Sequence, residues 1–140
     1  MSSSLQNAGG GLAPRILMAE DNAINQRVGQ LMLKKAGFDI DLVADGSEAV
    51  EAHRIKPYDL ILMDCQMPIM DGFEASSLIR QMGAATQPII VAVTANALVG
   101  ERERCLRAGM DDYLSKPFLA EQLVAVVKKW TSKRVRVVAG

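Results

Sequence analysis

The sequence predicts an α/β domain in which five parallel strands alternate with five helices. Short apolar runs recur along the chain, amphipathic stretches of helical period separate them, and glycine or proline bounds most of these segments. Strands that alternate with helices form a parallel sheet covered on both faces, which is a (βα)5 doubly wound architecture. Right-handed crossovers leave few ways to wind such a sheet.

The predicted strands are short and mostly apolar. They cover residues 15–19, 39–44, 58–63, 89–93 and 112–115. The second run alternates apolar residues such as Ile40 and Leu42 with polar ones, whereas the others are more apolar. We therefore place the second strand at an edge and expect the strand order 2-1-3-4-5 of the flavodoxin-like class.

The predicted helices follow from periodic apolar residues and capping signals. The first helix begins after Asn22 and ends before Gly37. The other four cover residues 47–55, 73–82, 98–108 and 119–131. In the first helix, Val28, Leu31 and Met32 recur at the spacing of a buried face. The fourth helix is rich in glutamate and arginine, so we expect it to be weakly anchored to the core.

Length and composition indicate one globular domain. The chain has 140 residues, of which 49% are hydrophobic, enough for a single core. Residues 1–13 are rich in serine and glycine and are predicted to be a flexible leader, residues 14–131 the domain, and residues 132–140 a basic tail or linker. Neither a signal peptide nor an apolar stretch of membrane-spanning length is recognisable, so we expect a cytoplasmic domain.

Charge, cysteine and histidine content exclude several classes of site. Acidic and basic residues balance at 16 each, so no overall field favours nucleic acid or an anionic membrane. Cys65 and Cys105 lack the spacing of a metal site, which predicts free thiols in a reducing compartment. His53 falls on a predicted helix and is interpreted as a solvated surface residue.

Polar side chains follow four of the five predicted strands, at the point where each strand ends. They are Glu20 and Asp21 after the first strand, Asp64 after the third, Thr94 after the fourth and Lys116 after the fifth. Alone, each could cap a helix, begin a turn or lie at the surface. Together they occupy one rim of a parallel sheet, where α/β folds bind their ligands.

The acidic residues at this rim predict a magnesium site. Neighbouring carboxylates repel one another and raise each other's pKa unless a cation lies between them. Oxygen ligands without histidine or cysteine suit Mg²⁺. The expected ligands are Glu20, acting largely through water, Asp21, Asp64 and the backbone carbonyl of Gln66.

The same residues predict chemistry on a phosphoryl group. An aspartate can attack phosphorus and form an aspartyl phosphate, which makes Asp64 the candidate nucleophile. Mg²⁺ would neutralise charge on the transferring group, and Lys116 would supply a second positive charge. The hydroxyl of Thr94 could donate to a phosphoryl oxygen.

Taken together, these residues resemble response-regulator receiver domains, the CheY-like class. The resemblance covers about residues 15–131 and rests on Glu20-Asp21-Asn22, Met63-Asp64, Met67-Pro68-x-Met70-Asp71-Gly72, Thr94-Ala95, Tyr113 and Lys116-Pro117. It implies that Asp64 is the phosphoacceptor, that Glu20, Asp21, Asp64 and the Gln66 carbonyl bind Mg²⁺, and that Lys116 contacts the phosphoryl group. The first acid is glutamate where many relatives carry aspartate, a tolerable change if water mediates its role.

The resemblance further implies a switch formed by Thr94 and Tyr113. Phosphorylation adds up to about two negative charges, towards which Thr94 would move while the Tyr113 ring rotates into the space vacated. The Lys116–Pro117 peptide bond is a candidate for the cis form. Gln66 and Asn96 each lie two residues beyond a site residue, and we expect them to tune the lifetime of the phosphoryl group.

Finer motifs resemble the receivers of hybrid sensor histidine kinases. These motifs include Asn25-Gln26, Asp64-Cys65-Gln66-Met67-Pro68 and Asp111-Asp112-Tyr113. The implied partner in a two-component phosphorelay is a histidine kinase dimerisation domain or a histidine-phosphotransfer domain, and the parent protein could be membrane-anchored. The isolated domain would catalyse only its own phosphorylation and dephosphorylation, and no direct contact with nucleic acid is expected.

The sequence leaves three other hypotheses for the function open. A haloacid-dehalogenase-like phosphatase also uses an aspartate nucleophile, but it needs a second aspartate at the position of Gln66. A flavodoxin-type cofactor binder would place a phosphate beside Glu20 and Asp21, which would repel it. A degenerate receiver would bind partners without phosphate, which the intact set of rim residues disfavours.

Overall fold

The computed structural model describes residues 13–83, 87–96 and 98–133. The predicted leader, apart from Ala13, and the predicted tail beyond Lys133 lie outside the described residues. Within them, the predicted alternation of strands and helices is confirmed along the chain.

The strands form one parallel five-stranded sheet. They are β1 (Ile16–Ala19), β2 (Ile40–Val43), β3 (Leu60–Asp64), β4 (Ile89–Thr94) and β5 (Asp112–Ser115). Their order is β2-β1-β3-β4-β5, as predicted, and β2 lies at an edge. The register pairs Asp64 of β3 with Val93 of β4, so the last residues of these two central strands lie at the same rim.

The helices are α1 (Ala23–Lys35), α2 (Gly46–Ile55), α3 (Gly72–Arg80), α4 (Val99–Arg107) and α5 (Ala120–Lys133). The first three begin after a side-chain cap, provided in turn by Asn22, Asp45 and Asp71. The ends differ from the predicted ones by one or two residues, and α5 continues into the predicted tail as far as Lys133.

Alternate residues of the strands fill two separate cores, one on each face of the sheet. On one face, Ile16, Leu60 and Leu62 pack with α1 and α5 through residues such as Leu33 and Leu123. On the other face, residues such as Leu17, Ile61 and Met63 pack with α2, α3 and α4. Strands covered on both faces explain the nearly continuous apolar runs of the sequence.

The buried face of α1 agrees with the prediction at Met32, which packs against the core, and differs from it at Val28 and Leu31. Leu33 is fully buried, whereas Val28 and Leu31 are 41% and 53% exposed. Gly29 is buried with Leu33, and a Cβ at Gly29 would lie 2.5 Å from the terminal methyl carbon of Met18. The helix therefore approaches the sheet at Gly29 and turns Leu33, four residues later, towards the core.

The predicted surface position of His53 is wrong. Its side chain is 1% exposed, and its Nδ1 accepts a hydrogen bond of 3.0 Å from the backbone N–H of Tyr58. The chain turns after α2 and brings this N–H against the last turn of the helix. Tyr58 in turn donates its hydroxyl to Asp41, and the Arg15 guanidinium lies 4.7 Å from the centre of its ring.

Helix α4 is weakly anchored, as its polar sequence predicts. Among its described side chains, only that of Cys105 is buried. The Arg104 guanidinium lies 4.0 Å from the centre of the Phe73 ring, a cation–π contact on the helix surface. Among the described residues, no helix combines the length and apolar character needed to cross a membrane.

The contact between Gly72 and β3 should be intolerant of any side chain. A Cβ at Gly72 would lie 2.2 Å from the backbone oxygen of Asp64, so Gly72→Ala must displace the end of β3 or the start of α3. We expect a loss of about 1–3 kcal/mol in the free energy of unfolding, measured by urea denaturation. Gly83→Ala, where the added carbon meets open space, is the matched control and should leave stability unchanged or slightly higher. Equal effects of the two substitutions would contradict this packing.

Candidate functional site

The polar residues that follow the strands meet at one rim of the sheet. Asp64 is the last residue of β3 and is only 5% exposed, and Thr94, the last residue of β4, is also buried. Glu20 follows β1 and is buried, while Lys116 follows β5 and is partly exposed. Strand order and register therefore bring together residues that are far apart in the sequence.

Lys116 joins two of the carboxylates. Its ammonium group donates hydrogen bonds of 2.8 Å to Asp64 Oδ2 and 3.0 Å to Glu20 Oε1. The other oxygen of Asp64, Oδ1, accepts the backbone N–H of Gln66 at 3.0 Å. Lys116 thus compensates part of the negative charge that β1 and β3 place at this rim.

The three charged groups have shifted pKa values. Burial raises the pKa of Asp64, and this effect outweighs the hydrogen bonds from Lys116 and from Gln66 N–H. For Glu20, burial acts in the same direction, but the hydrogen bonds from Asn22 N–H and Lys116 outweigh it and lower the pKa. For Lys116, burial would lower the pKa, but the hydrogen bonds to Asp64 and Glu20 raise it.

Three carboxylates form a potential site for a hard cation. One oxygen each of Glu20, Asp21 and Asp64 lies within 4.8 Å of the others. Asp21 is exposed and opens this cluster to solvent, whereas Glu20 and Asp64 are buried. The donor set contains oxygen only, which suits Mg²⁺, Ca²⁺ or Mn²⁺ better than Zn²⁺ or Cu²⁺.

The loop that carries Glu20 is held by residues of α1. The Gln26 amide donates at 2.6 Å to the backbone oxygen of Glu20 and at 3.3 Å to that of Val43. The backbone N–H of Asn22 donates to Glu20 Oε2 at 3.1 Å. Sequence reasoning recognised Gln26 only as part of a motif. A polar side chain one helical turn after the acidic pair was the available signal that it fixes this loop.

Thr94 makes its hydrogen bonds on the side of α4. Its Oγ1 accepts the backbone N–H of Asn96 at 3.0 Å and lies 3.3 Å from both the Asn96 carbonyl oxygen and Glu101 Oε2. Tyr113 on β5 is half-buried, and the Arg102 guanidinium lies 5.2 Å from the centre of its ring. Nothing in the sequence indicates these contacts of Glu101 and Arg102, because charges on a polar helix carry no sign of their partners.

Comparison with known proteins identifies the family. Residues 16–128 match the model of the response regulator receiver domain. The chain belongs to this family. The chain is 42% identical over 127 residues to the sensor histidine kinase GacS of Pseudomonas protegens. It is 40% identical over 127 residues to hybrid signal transduction histidine kinase B of Dictyostelium discoideum. These alignments cover 89% and 82% of the chain but only 14% and 6% of the two kinases.

Solved receiver domains share the fold. One is the receiver domain of the sensor histidine kinase PA1611 from Pseudomonas aeruginosa, which has a magnesium ion in its active site cleft. It is 45% identical to this chain, with a TM-score of 0.79, and the match covers 86% of this chain and 99% of that one. The receiver domain of Ssk1 from Saccharomyces cerevisiae, crystallised with the histidine phosphotransfer protein Ypd1, is 30% identical, with a TM-score of 0.81 over 90% and 95% of the chains.

Other residues singled out in the sequence lie around the receiver site. Gln66 and Asn96 are exposed beside Asp64 and Thr94. The Lys116–Pro117 peptide bond is cis, as the resemblance implied. Cys65 and Cys105 are free and buried, and burial raises the pKa of both thiols.

The raised pKa of Asp64 has a measurable consequence for stability. The folded receiver holds the Asp64 proton more tightly than the unfolded chain does, so ionisation of Asp64 costs stability as the pH rises above the ordinary value of 3.8. We therefore expect Asp64→Asn, in buffer with a chelator, to unfold at a higher temperature than the wild type at pH 7. The difference should shrink towards pH 4, measured by circular dichroism. A difference that did not depend on pH would show that charge is not its cause.

Proposed function

We propose that this receiver domain is the phosphoacceptor of a two-component phosphorelay, in which Asp64 takes a phosphoryl group from phosphohistidine. The observation that carries the proposal is the buried Asp64 carboxylate hydrogen-bonded to Lys116, with Glu20 and Asp21 within 4.8 Å. Such a site gathers a nucleophile, a cation and further metal ligands around one small volume.

Mg²⁺ is the proposed cofactor, held by Glu20, Asp21, Asp64 and the backbone carbonyl of Gln66. The all-oxygen donor set and the exposed Asp21 fit an ion that keeps several of its waters. The magnesium ion in the Pseudomonas aeruginosa receiver supports the assignment. When bound, the ion would offset negative charge on the transferring phosphoryl oxygens.

In the proposed transfer, a carboxylate oxygen of Asp64 attacks phosphorus. The new O–P bond forms as the N–P bond of phosphohistidine breaks, and the electron pair of that bond stays with the imidazole nitrogen. Lys116, already bonded to Asp64, contacts a phosphoryl oxygen, and Thr94 turns its hydroxyl towards another. The Tyr113 ring then rotates into the space that Thr94 vacates. The exposed Gln66 and Asn96 tune the rate at which water hydrolyses the aspartyl phosphate and ends the signal.

The first test is phosphorylation by a small donor. With Mg²⁺ and acetyl phosphate, the protein should acquire one acid-stable, base-labile phosphoryl group, detected by mass spectrometry, because an acyl phosphate is hydrolysed readily by base. Asp64→Asn should lose it completely and Lys116→Ala should reduce it, whereas Asp39→Asn, at an exposed aspartate, should not change it. Persistent labelling of Asp64→Asn would exclude this nucleophile. Steady hydrolysis of many phosphate esters would favour the haloacid-dehalogenase-like alternative.

The proposed partner is a histidine-phosphotransfer domain or the dimerisation domain of a histidine kinase. The yeast receiver bound to Ypd1 supports the first of these. Exposed apolar side chains on α1 provide a surface for such a partner, since Ile24 and Leu31 are 73% and 53% exposed. A cavity of about 410 Å³, lined among others by Val28, Lys116 and Phe118, connects this surface with the phosphorylation site.

The docking surface can be separated from the chemistry by substitution. Ile24→Asp should slow phosphotransfer from a phosphorylated histidine-phosphotransfer domain at least about tenfold, because a charge replaces apolar contact area. Its phosphorylation by acetyl phosphate should be unchanged. Ile55→Asp is the matched control, an equally exposed isoleucine on α2, across the sheet, and should affect neither donor. Equal rates for Ile24→Asp and the wild type with the protein donor would place the docking surface elsewhere.

The parent protein is proposed to be a hybrid sensor histidine kinase. The chain spans 14% of GacS and 6% of the Dictyostelium kinase, which is the length expected of one module. Within the chain, the cytoplasmic receiver unit would start at residue 14, with residues 1–13 as leader, and would end with α5 at Lys133, two residues beyond the predicted boundary at 131, with the rest of residues 132–140 as linker.

A further inference from the structure

The first turn of α4 contacts both residues of the proposed switch. Glu101 Oε2 lies 3.3 Å from the hydroxyl oxygen of Thr94. The next residue, Arg102, places its guanidinium 5.2 Å from the centre of the Tyr113 ring. Two consecutive side chains of one helix turn therefore reach two residues that lie on different strands.

We infer that Glu101 and Arg102 form a latch that holds Thr94 and Tyr113 in their resting positions. This inference rests on the proposed function, which makes these two residues the switch. Glu101 is a positioning residue that acts through Thr94, and Arg102 is one that acts through Tyr113. Neither belongs to the set of residues that would contact the phosphoryl group.

Glu101 opposes switching because it competes for the single hydroxyl proton of Thr94. The Thr94 hydroxyl has one proton and two acceptors at 3.3 Å, the Glu101 carboxylate and the Asn96 carbonyl. A charged acceptor forms the stronger bond, so the carboxylate is favoured. To donate to a phosphoryl oxygen on Asp64, Thr94 has to release Glu101. Since Asn96 remains as a second acceptor, loss of Glu101 weakens the resting state without abolishing it.

The contacts of Glu101 and Arg102 lie at the start of α4, where the helix lacks a side-chain cap. The residue before α4, Leu98, provides no side-chain cap for the helix. The segment that follows α4 is anchored, because Arg80 donates at 2.7 Å both to the backbone oxygen of Gly109 and to Asp111. The contacts of Glu101 and Arg102 therefore tie the start of α4 to β4 and β5.

A ligand that favours the switched state should bind more tightly when the latch is removed. Beryllofluoride with Mg²⁺, a phosphoryl analogue, is the probe, and its apparent affinity is measured by titration with nuclear magnetic resonance. We expect Glu101→Ala to bind beryllofluoride about threefold to tenfold more tightly than the wild type, the range for loss of one hydrogen bond. Glu103→Ala, at an exposed glutamate of the same helix, is the matched control and should not change the affinity.

A double-mutant cycle tests whether Glu101 acts through Thr94. Thr94→Val keeps the shape of the side chain but removes the hydroxyl, so Glu101→Ala should have no further effect on affinity in that background. If Glu101→Ala tightened binding equally with and without the hydroxyl, or did not tighten it at all, the latch would be excluded. Glu101→Met, which nearly keeps the side-chain length but removes the oxygen acceptors, serves if the alanine variant does not fold.

The Arg102 contact is measured on the free variant, with the beryllofluoride complex of the wild type as the reference. In Arg102→Ala, the resonances of the Tyr113 ring should shift towards their positions in the beryllofluoride complex of the wild type, whereas Arg107→Ala should not move them. An unchanged ring would overturn this half of the latch. If the wild type bound no beryllofluoride, the proposed function would fail. The latch would then be judged by whether Arg102→Ala alters the rotamer distribution of Tyr113 and Glu101→Ala that of Thr94, both in the free protein.

Discussion

The burial of one carboxylate at the end of a central strand is the constraint on which the site depends. Asp64 is almost inaccessible to solvent, and that burial raises its pKa. An ionised group in this position has to be compensated locally, and Lys116 does so across 52 residues of sequence. Glu20 shares the same ammonium group, so the ends of β1, β3 and β5 are tied by charge as well as by backbone pairing.

The doubly wound sheet separates two surfaces that the proposed phosphorelay needs. Helix α1 and the cavity beside it lie on one face of the sheet, where apolar side chains such as Ile24 are left exposed. Helix α4 lies on the other face, beside Thr94 and Tyr113. A donor docked on α1 therefore leaves the switching surface uncovered. Both surfaces border the rim that carries Asp64, which is where a transferred group would have to act on both.

The sequence predicted the architecture because its signals were local. Apolar runs marked strands buried on both faces, and polar residues at their ends marked the rim, so strand order alone was sufficient to gather Glu20, Asp64 and Lys116. The failures came from tertiary contacts. Helix α1 packs against the sheet through Gly29 and Leu33, and a turn after α2 buries His53. Both effects depend on what packs against the helix rather than on its own pattern.

The contacts of Glu101 and Arg102 were beyond sequence reasoning for a further reason. A helix with so many charges normally presents them to water, and nothing in the spacing distinguishes Glu101 from the exposed Glu103. The distinction comes from the position of Glu101 in the first turn, where its side chain reaches back to the end of β4. The proposed switch needs both the weak anchoring of α4 and the specific contacts at its start. Because α4 buries little of its surface, release of the proposed latch would disturb little else, and the contacts of Glu101 and Arg102 give the switch residues a defined resting position.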